Sequence, residues 1–564
     1  MAALLALATF LLLLILRGAD DNRLVSWQWT FANADIAALI AMFAVALAAA
    51  YVVLRAAHVV EVGPALLFTL AFAAGALCWR EPEVIVDAAR YLAQAKQLQV
   101  YGIGYFLSEW GHGIWAWTDL PLVPFIYGLA LELGGGERIA IQFVVTAMFA
   151  GTVVLTYYIG GLLWNAQVGR SAGALLLGMP YLLTQVPLSL VDVPTMFFLT
   201  LAVYLSLRAL REGGTTRVAL AGAAIVLALL AKYSTWLMLT VLPVMAVVCA
   251  LEAPRIVARR TAALCTWVVL LSIPLLMWRA ELFAVQLQLL MDYQLAGLQR
   301  WHETMVSTLL FQVHPWITLF ALVAVALALW RRDARFLIVT WMLLLIVMLE
   351  IKRSRYMLVA FPMLALMAGY GLTVIRNQTL RGYVVMCVVS ASLLTAMIGY
   401  LPFLRSTSAA NLQAAGSYLD AGTAPTAEVI VLPQRHSVVN PVVAVPILDL
   451  YTRKSLVFER DAELHGAPPS DLATSALRFT WEYRDPAYLR APPGPSHAHI
   501  PVVVILDAPD QALPPRVAQK VADLNLAREF NNSSEIFRFR TVVRVYEPRQ
   551  GPGSAGLSGT SEKG

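Results

Sequence analysis

Charge is what this chain has least of. Asp, Glu, Lys and Arg supply 13% of its 564 residues, while 59% are hydrophobic. Soluble domains carry about a quarter charged residues, so a single large water-soluble enzyme is excluded, and so is a disordered polymer. Cysteine is scarcer still. All four (Cys78, Cys249, Cys265, Cys387) fall within or at the ends of apolar runs, which excludes a disulfide framework outside them. No Cys/His spacing matches a structural zinc site. No Gly-rich loop runs into Lys and Ser/Thr, so nucleotide-powered transport has no support in this chain. The basic excess, 41 Lys and Arg against 35 Asp and Glu, is no nucleic-acid signature, because much of it is arginine in short loops, as membrane orientation requires.

Long apolar runs are what the chain has in quantity. A helix needs about 20 apolar residues to cross the hydrocarbon layer, fewer in a tight bundle. Runs of this kind are read at 2–16, 36–55, 64–79, 139–163, 171–188, 193–209, 218–231, 234–251, 261–278, 316–330, 336–350, 356–375 and 382–402, thirteen in all. The first is short and, without a small-x-small cleavage site after it, is expected to be an anchor. Arg170, Arg208, Arg211, Arg217, Arg255, Arg259, Arg260, Arg331, Arg332, Arg335, Arg376 and Arg381 flank alternate loops, which places those loops in the cytoplasm. An odd number of crossings then puts the C-terminus outside, with residues 80–138 on the same side.

The expected fold is a polytopic α-helical membrane protein of about 13 transmembrane helices with a small C-terminal α/β extracytoplasmic domain. Residues 1–63 supply two N-terminal helices and 64–402 the membrane domain. Within its first outer loop, 80–138, Asp87–Leu98 reads as a short amphipathic helix. Leu120–Leu133, closed by Gly134–Gly136, is too short to span and reads as a helix along the interface. From 403 to 548 the composition becomes that of a soluble domain, with β-rich runs at Ala427–Leu432 and Pro501–Leu506 and a helical stretch at Ala409–Leu419. Residues 549–564 are Gly/Ser-rich and expected to be disordered.

Ionisable groups beside a membrane interior pose a functional question. Here Glu83, Asp87, Glu109, Asp119 and Asp192 collect at the outer ends of spans. So do Lys232, Lys352, Arg353 and Arg355, cations on the side the positive-inside rule disfavours. A carboxylate can take a proton from a hydroxyl, and cations stabilise a departing phosphate. A groove at the lipid boundary suits a phosphate on a long prenyl chain. Transfer of a sugar from a lipid phosphate uses all three.

At these residues the sequence resembles the GT-C superfamily of integral membrane glycosyltransferases, on the branch of the protein O-mannosyltransferases and the bacterial lipid A aminoarabinose transferases (glycosyltransferase family 39-like). Asp87-Ala88-Ala89-Arg90-Tyr91 with Ala95 is similar to the first-loop motif, Ala88 standing where a second acid is usual. Trp117-Thr118-Asp119-Leu120-Pro121-Leu122 resembles the Pro-Pro-Leu segment, and Val191-Asp192-Val193-Pro194 the Asp-x-Pro entry to a span. Ala231-Lys232-Tyr233-Ser234 looks like the Lys-x-Thr/Ser element, and Lys352-Arg353-Ser354-Arg355-Tyr356 with Phe361-Pro362 like the Arg-Tyr element. These motifs cover roughly 64–402, so the two helices before residue 64 are an addition to the usual plan.

The resemblance implies Asp87 as catalytic base and Asp119, Asp192 and Glu109 on the acceptor or sugar side. It implies Lys232, Arg355, Arg353 and Tyr356 on the donor phosphate. The co-substrate is a polyprenyl-phosphate sugar, with no certain cofactor and room for a divalent cation, whose ligands the sequence does not identify. The partners are the membrane and a lipid, glycan or protein acceptor, with no nucleic acid, at the outer face of a bacterial inner membrane. Each residue also has a plainer reading. Asp87 can pair with Arg90, Asp119 can cap the interfacial helix, and Asp192-x-Pro is a common helix start. Trp301, His302, Glu303 and His314 are secondary candidates for the sugar site. Trp110, Trp115 and Trp117 suit a membrane interface, and His436, His465, His497 and His499 have no metal-like spacing. The competing functions are a transporter or flippase of lipid-linked saccharides, which calls for repeat symmetry and midplane polar groups, and an envelope scaffold.

Overall fold

In a computed structural model, residues 1–56, 63–294, 302–435, 437–458, 472, 475, 477–490, 500–532 and 536–549 are described. Trp301, His436, His465, His497, His499 and the expected tail from 550 lie outside them. The protein is a mostly helical membrane bundle with a small sheet domain at one end.

Every one of the thirteen expected spans falls on helix, but their lengths differ. Six helices are long and apolar enough to cross a membrane: Ile36–Arg55, Arg138–Leu163, Asp192–Glu212, Pro254–Trp278, Ser354–Val374 and Gln378–Arg405. Met305–Val313 and Pro315–Arg331 are apolar enough only when taken together, and they meet at a bend of 118°. The remaining apolar helices are shorter, such as Ala2–Ile15, Pro64–Ala76 and Thr215–Ala231. The run expected at 171–188 is not one helix. Helix Ala166–Leu177 stops at Gly178, and Pro180 starts a separate turn, Pro180–Gln185. Proline lacks the N–H that would continue the ladder and biases the preceding residue toward extended backbone, which is where Met179 sits (φ −114°, ψ 97°).

Arg138–Leu163 spans about 39 Å at 1.5 Å per residue and separates two charged ends. At its start Arg138 donates to Glu83 (3.2 Å), the Glu81 carbonyl (2.7 Å) and the Pro187 carbonyl (3.1 Å). At its finish the carbonyls of Leu162 and Leu163 accept from Arg211 and Arg335. The first-loop helices and the sheet domain gather at the Arg138 end.

There the first helix runs from Ile85 to Glu109, longer than expected, with a break at Gly102 (φ +84°). The second, Leu122–Leu133, lies where the interfacial helix is expected. The two touch at Gly128, where an added Cβ would stand 2.6 Å from the Leu98 Cβ and 2.9 Å from the Ala95 carbonyl. Small residues at 95 and 128 are what this close crossing needs. Tyr127 donates to the Leu190 carbonyl at 2.6 Å, tying the second helix to the turn before Asp192.

The C-terminal domain begins with helix Ala409–Ala421. Its five strands are β1 (Thr426–Val431), β2 (Ser455–Phe458), β3 (Val502–Leu506), β4 (Leu524–Phe530) and β5 (Val542–Pro548), in the order β2-β1-β3-β5-β4. β1 pairs parallel with β2 and β3, while β5 runs antiparallel to β3 and β4. β3 is buried on both faces, which accounts for its unbroken Val/Ile run. β4, largely exposed, carries Arg528 and Glu529, charges that blunt a free sheet edge. Helix Ala444–Leu450 packs on Ile85–Glu109, with a Lys96–Asp449 ion pair at 3.7 Å.

Candidate active site

The groups singled out in the sequence come from helix ends. Asp87 lies in the first turn of Ile85–Glu109, and Asp192 is the first residue of Asp192–Glu212. Both are N-terminal positions where the helix dipole favours a carboxylate. Lys232 sits just after helix Thr215–Ala231 in extended backbone, at the end of a helix dipole that favours a cation. Arg353 is also extended, immediately before the turn Ser354–Met357 that carries Arg355 and Tyr356.

These ends converge. Arg355 Nη1 donates to Asp87 Oδ2 at 2.6 Å, and its Nε lies 3.2 Å from Asp192 Oδ2. Lys232 Nζ donates to Asp192 Oδ1 at 2.7 Å, and Arg353 lies 3.9 Å from Asp87. The Tyr356 ring gathers three cations, with Lys232, Arg353 and Arg355 at 5.2, 5.3 and 5.8 Å from its centroid, a favourable placement over a π face.

The three carboxylates are not equivalent. Asp192 is held by Lys232 and Arg355 with a side chain 3% exposed. Asp119 is 7% exposed, paired with Arg90 at 2.5 Å and bonded by Gln94 at 3.0 Å. Asp87, at 18%, is the most accessible of the three to a substrate. Burial alone would raise its pKa, but Arg355 first and then Arg353 outweigh that and hold it well below the usual carboxylate range. Burial instead pushes the Asp119 carboxyl up against the pull of Arg90.

Asp87, Asp119, Lys232, Arg353, Arg355 and Tyr356 all line one cavity of about 890 Å³. Six basic and four acidic side chains reach it among the described residues, so it favours an anion. Leu120, Val439, Leu477, Phe479 and Phe539 give it an apolar part. The C-terminal domain forms one wall, with Arg90 stacked over Phe479 at 4.7 Å.

Several candidates stand elsewhere. Glu109 does not line the cavity, and its carboxylate accepts from the Gly113 N–H at 3.2 Å. Asp192 does not line the cavity and is held by Lys232 and Arg355. Asp119 does not cap the interfacial helix, whose N-cap is Pro121, and the partner of Asp87 is Arg355, not Arg90. Lys352 pairs at 3.5 Å with exposed Glu350. Glu83 is structural, accepting from Arg138 and from the Ser189 N–H. His314 caps helix Pro315–Arg331 through the Trp316 N–H, and His302 is exposed. Trp110 is buried, while Trp115 and Trp117 pack against each other and, respectively, Tyr483 and Tyr293. Among the described residues no three His, Cys, Asp or Glu side chains are grouped to share a metal ion.

Sequence reasoning missed Arg90 as the partner of Asp119, although its position one turn after Asp87 puts both on one helix face. It also missed Asp20–Trp29, which reads as a connector between two apolar runs and yet lines the cavity.

Residues 119–278 match the family described as Dolichyl-phosphate-mannose-protein mannosyltransferase, a stretch that holds Asp119, Asp192 and Lys232. Among curated proteins none matches the chain in sequence. Among solved structures, ArnT from Cupriavidus metallidurans bound to undecaprenyl phosphate superposes with a TM-score of 0.51 at 13% identity, covering 88% of this chain and 99% of that one. The same protein in its apo state gives 0.51 at 12% identity, covering 85% and 97%. The chain thus has a fold similar to that of ArnT, and within it the segment that holds Asp119, Asp192 and Lys232 is similar to the mannosyltransferase family.

Proposed function

We propose that the protein moves a monosaccharide from a polyprenyl-phosphate donor to a hydroxyl of a lipid, glycan or protein acceptor, by one inverting displacement, at the extracytoplasmic face of a bacterial inner membrane. One observation carries the reading: an accessible carboxylate, Asp87, stands beside three clustered cations in a cavity that is both basic and apolar. A cavity of that character suits an anionic lipid. The undecaprenyl phosphate bound to ArnT supports the same ligand class.

In this scheme the donor phosphate meets Lys232, Arg353 and Arg355, with Tyr356 holding the three together. The acceptor oxygen attacks the anomeric carbon from the face opposite the phosphate. Its bond to that carbon forms as the carbon–phosphate oxygen bond breaks, and the electron pair leaves with the phosphate, where the cations stabilise it. The acceptor proton goes to Asp87. Arg355 and Arg353 by themselves make Asp87 a weak base. A phosphate that draws both guanidinium groups toward itself removes part of that field, so Asp87 gains basicity once donor is bound. Asp192 is a positioning residue behind Lys232 and Arg355. Asp119 with Arg90 lies toward the sugar and acceptor.

The test uses purified protein in nanodiscs with radiolabelled polyprenyl-phosphate sugars, following release of polyprenyl phosphate. Asp87→Asn is expected to reduce release about 10²–10⁴-fold in a protein that still unfolds cooperatively on heating. Unreduced release removes Asp87 as the base. Donor binding without release, even with crude envelope lipids and proteins as acceptors, would favour transport of a lipid-linked saccharide instead.

A further inference from the structure

The two helices ahead of residue 64 carry none of the motifs, yet the loop between them reaches the active cavity through Asp20, Asp21, Asn22, Arg23, Gln28 and Trp29. This loop is clamped from beneath. The Asp20 carboxylate, buried, accepts from the N–H groups of Asn22 (3.1 Å) and Trp27 (2.7 Å), from Ser307 Oγ (3.1 Å) and from Gln312 Nε2 (2.9 Å). Trp27 is buried among Phe10, Phe31 and Phe311 and donates to Tyr400 Oη at 2.8 Å.

The loop is also tied to the phosphate side of the cavity. Asn22 Nδ2 donates at 3.1 Å to Ser354 Oγ, the residue between Arg353 and Arg355, whose N–H is bonded by Glu303 at 2.6 Å. The segment is thereby held in register with those two arginines.

Gln28 and Trp29 follow Trp27 directly in the short helix Trp27–Thr30. Gln28 is exposed and Trp29 half-buried. Neither the Gln28 amide nor the Trp29 indole N–H has a polar partner among the described residues. An aromatic face next to a free amide is the pairing a pyranose uses, its C–H face against the ring and its hydroxyls on the amide. A tryptophan that only anchored the loop at the membrane interface would need neither the buried carboxylate clamp nor an amide beside it in the cavity.

We propose that the Asp20–Trp29 loop is the subsite for the donor's sugar, with Gln28 and Trp29 as its contacts, a reading that rests on the glycosyltransferase function above. The subsite is a specificity element brought by the N-terminal addition and locked to the phosphate site through Asn22 and Ser354.

The test measures binding of farnesyl phosphate and of a panel of farnesyl-phosphate monosaccharides to the full chain in nanodiscs. The wild type is expected to bind at least one sugar-bearing ligand about tenfold more tightly than farnesyl phosphate. Trp29→Ala and Gln28→Ala should each erase much of that preference and leave farnesyl phosphate affinity unchanged. Arg353→Ala should weaken both ligands together. The inference is overturned if the wild type shows no preference, if both variants keep it, or if Trp29→Ala weakens both ligands in parallel, as a structural defect would. An Arg353→Ala protein unchanged toward either ligand is instead a failure of the phosphate site, and it takes the subsite with it.

Discussion

At the end of the bundle away from the sheet, Arg208 pairs with Glu212 one turn along the same helix, both side chains 34% exposed. At the end beneath the sheet, Arg355 pairs with Asp87 and Asp192, 268 and 163 residues away in sequence, with its own side chain 9% exposed. The chemistry of the two pairings is the same and their surroundings are opposite. At the far end Arg211, Arg260 and Arg335 donate to backbone carbonyls, closing helix ends. Beneath the sheet the cations answer carboxylates inside a cavity. An exposed pair contributes about 0–1 kcal/mol because water and salt screen it. A desolvated network is tolerated only when each charge is answered, and one centred on an accessible carboxylate and three cations is poised to exchange a partner for a ligand.

Replacing single arginines tests that contrast. Arg355→Ala should have the largest effect. It leaves Asp87 and Asp192 with fewer counter-charges, costing about 3–5 kcal/mol of stability and abolishing polyprenyl phosphate release, as read by thermal unfolding and turnover in nanodiscs. A loss of stability below about 1 kcal/mol would mean that the site is as well hydrated as the far end. Arg353→Ala should act more gently, and on pH dependence. Removing a cation near Asp87 disfavours its ionised form and raises its pKa toward the usual value of about 3.9. The acid limb of kcat/KM then moves to higher pH, whereas the wild type stays flat down through the ordinary carboxylate range. Ionised Asp87 likewise contributes stability above its unfolded-state pKa, and this is lost as pH falls through its lower folded value. Coincident acid limbs in wild type and variant would remove Arg353 from the field on Asp87. Arg208→Ala should change least, within about 1 kcal/mol in thermal unfolding and without effect on release.

Much of the plan was legible in the chain because its signals are local. Apolar runs located the helices, and a soluble composition with β-rich runs located the C-terminal domain with its β1 and β3 strands. The short apolar stretch closed by Gly134 read correctly as a helix, Leu122–Leu133. The break between Ala166–Leu177 and Pro180–Gln185 was signalled by Gly178 and Pro180 but overridden by the apolarity of the run. The charged candidates Asp87, Asp119, Lys232, Arg353 and Arg355 stood out because charge at the edge of an apolar run is conspicuous. Glu109 stood out for the same reason and yet serves a local turn.

Partnership was not legible. Arg90 follows Asp87 by three residues, so proximity in sequence favoured that pair, yet packing aims Arg90 at Asp119 and gives Asp87 to Arg355. Nor did the residues between the first two apolar runs show that Asp20 would be buried against Gln312 or that Asn22 would reach Ser354. By itself the sequence determined which segments leave water and which charges had to lie at their ends, since transfer out of water depends on each segment's own composition. Only the tertiary structure decided which charge answers which and which loop closes the cavity, because a hydrogen bond or ion pair depends on distances of a few ångströms between residues that the chain alone keeps hundreds of positions apart.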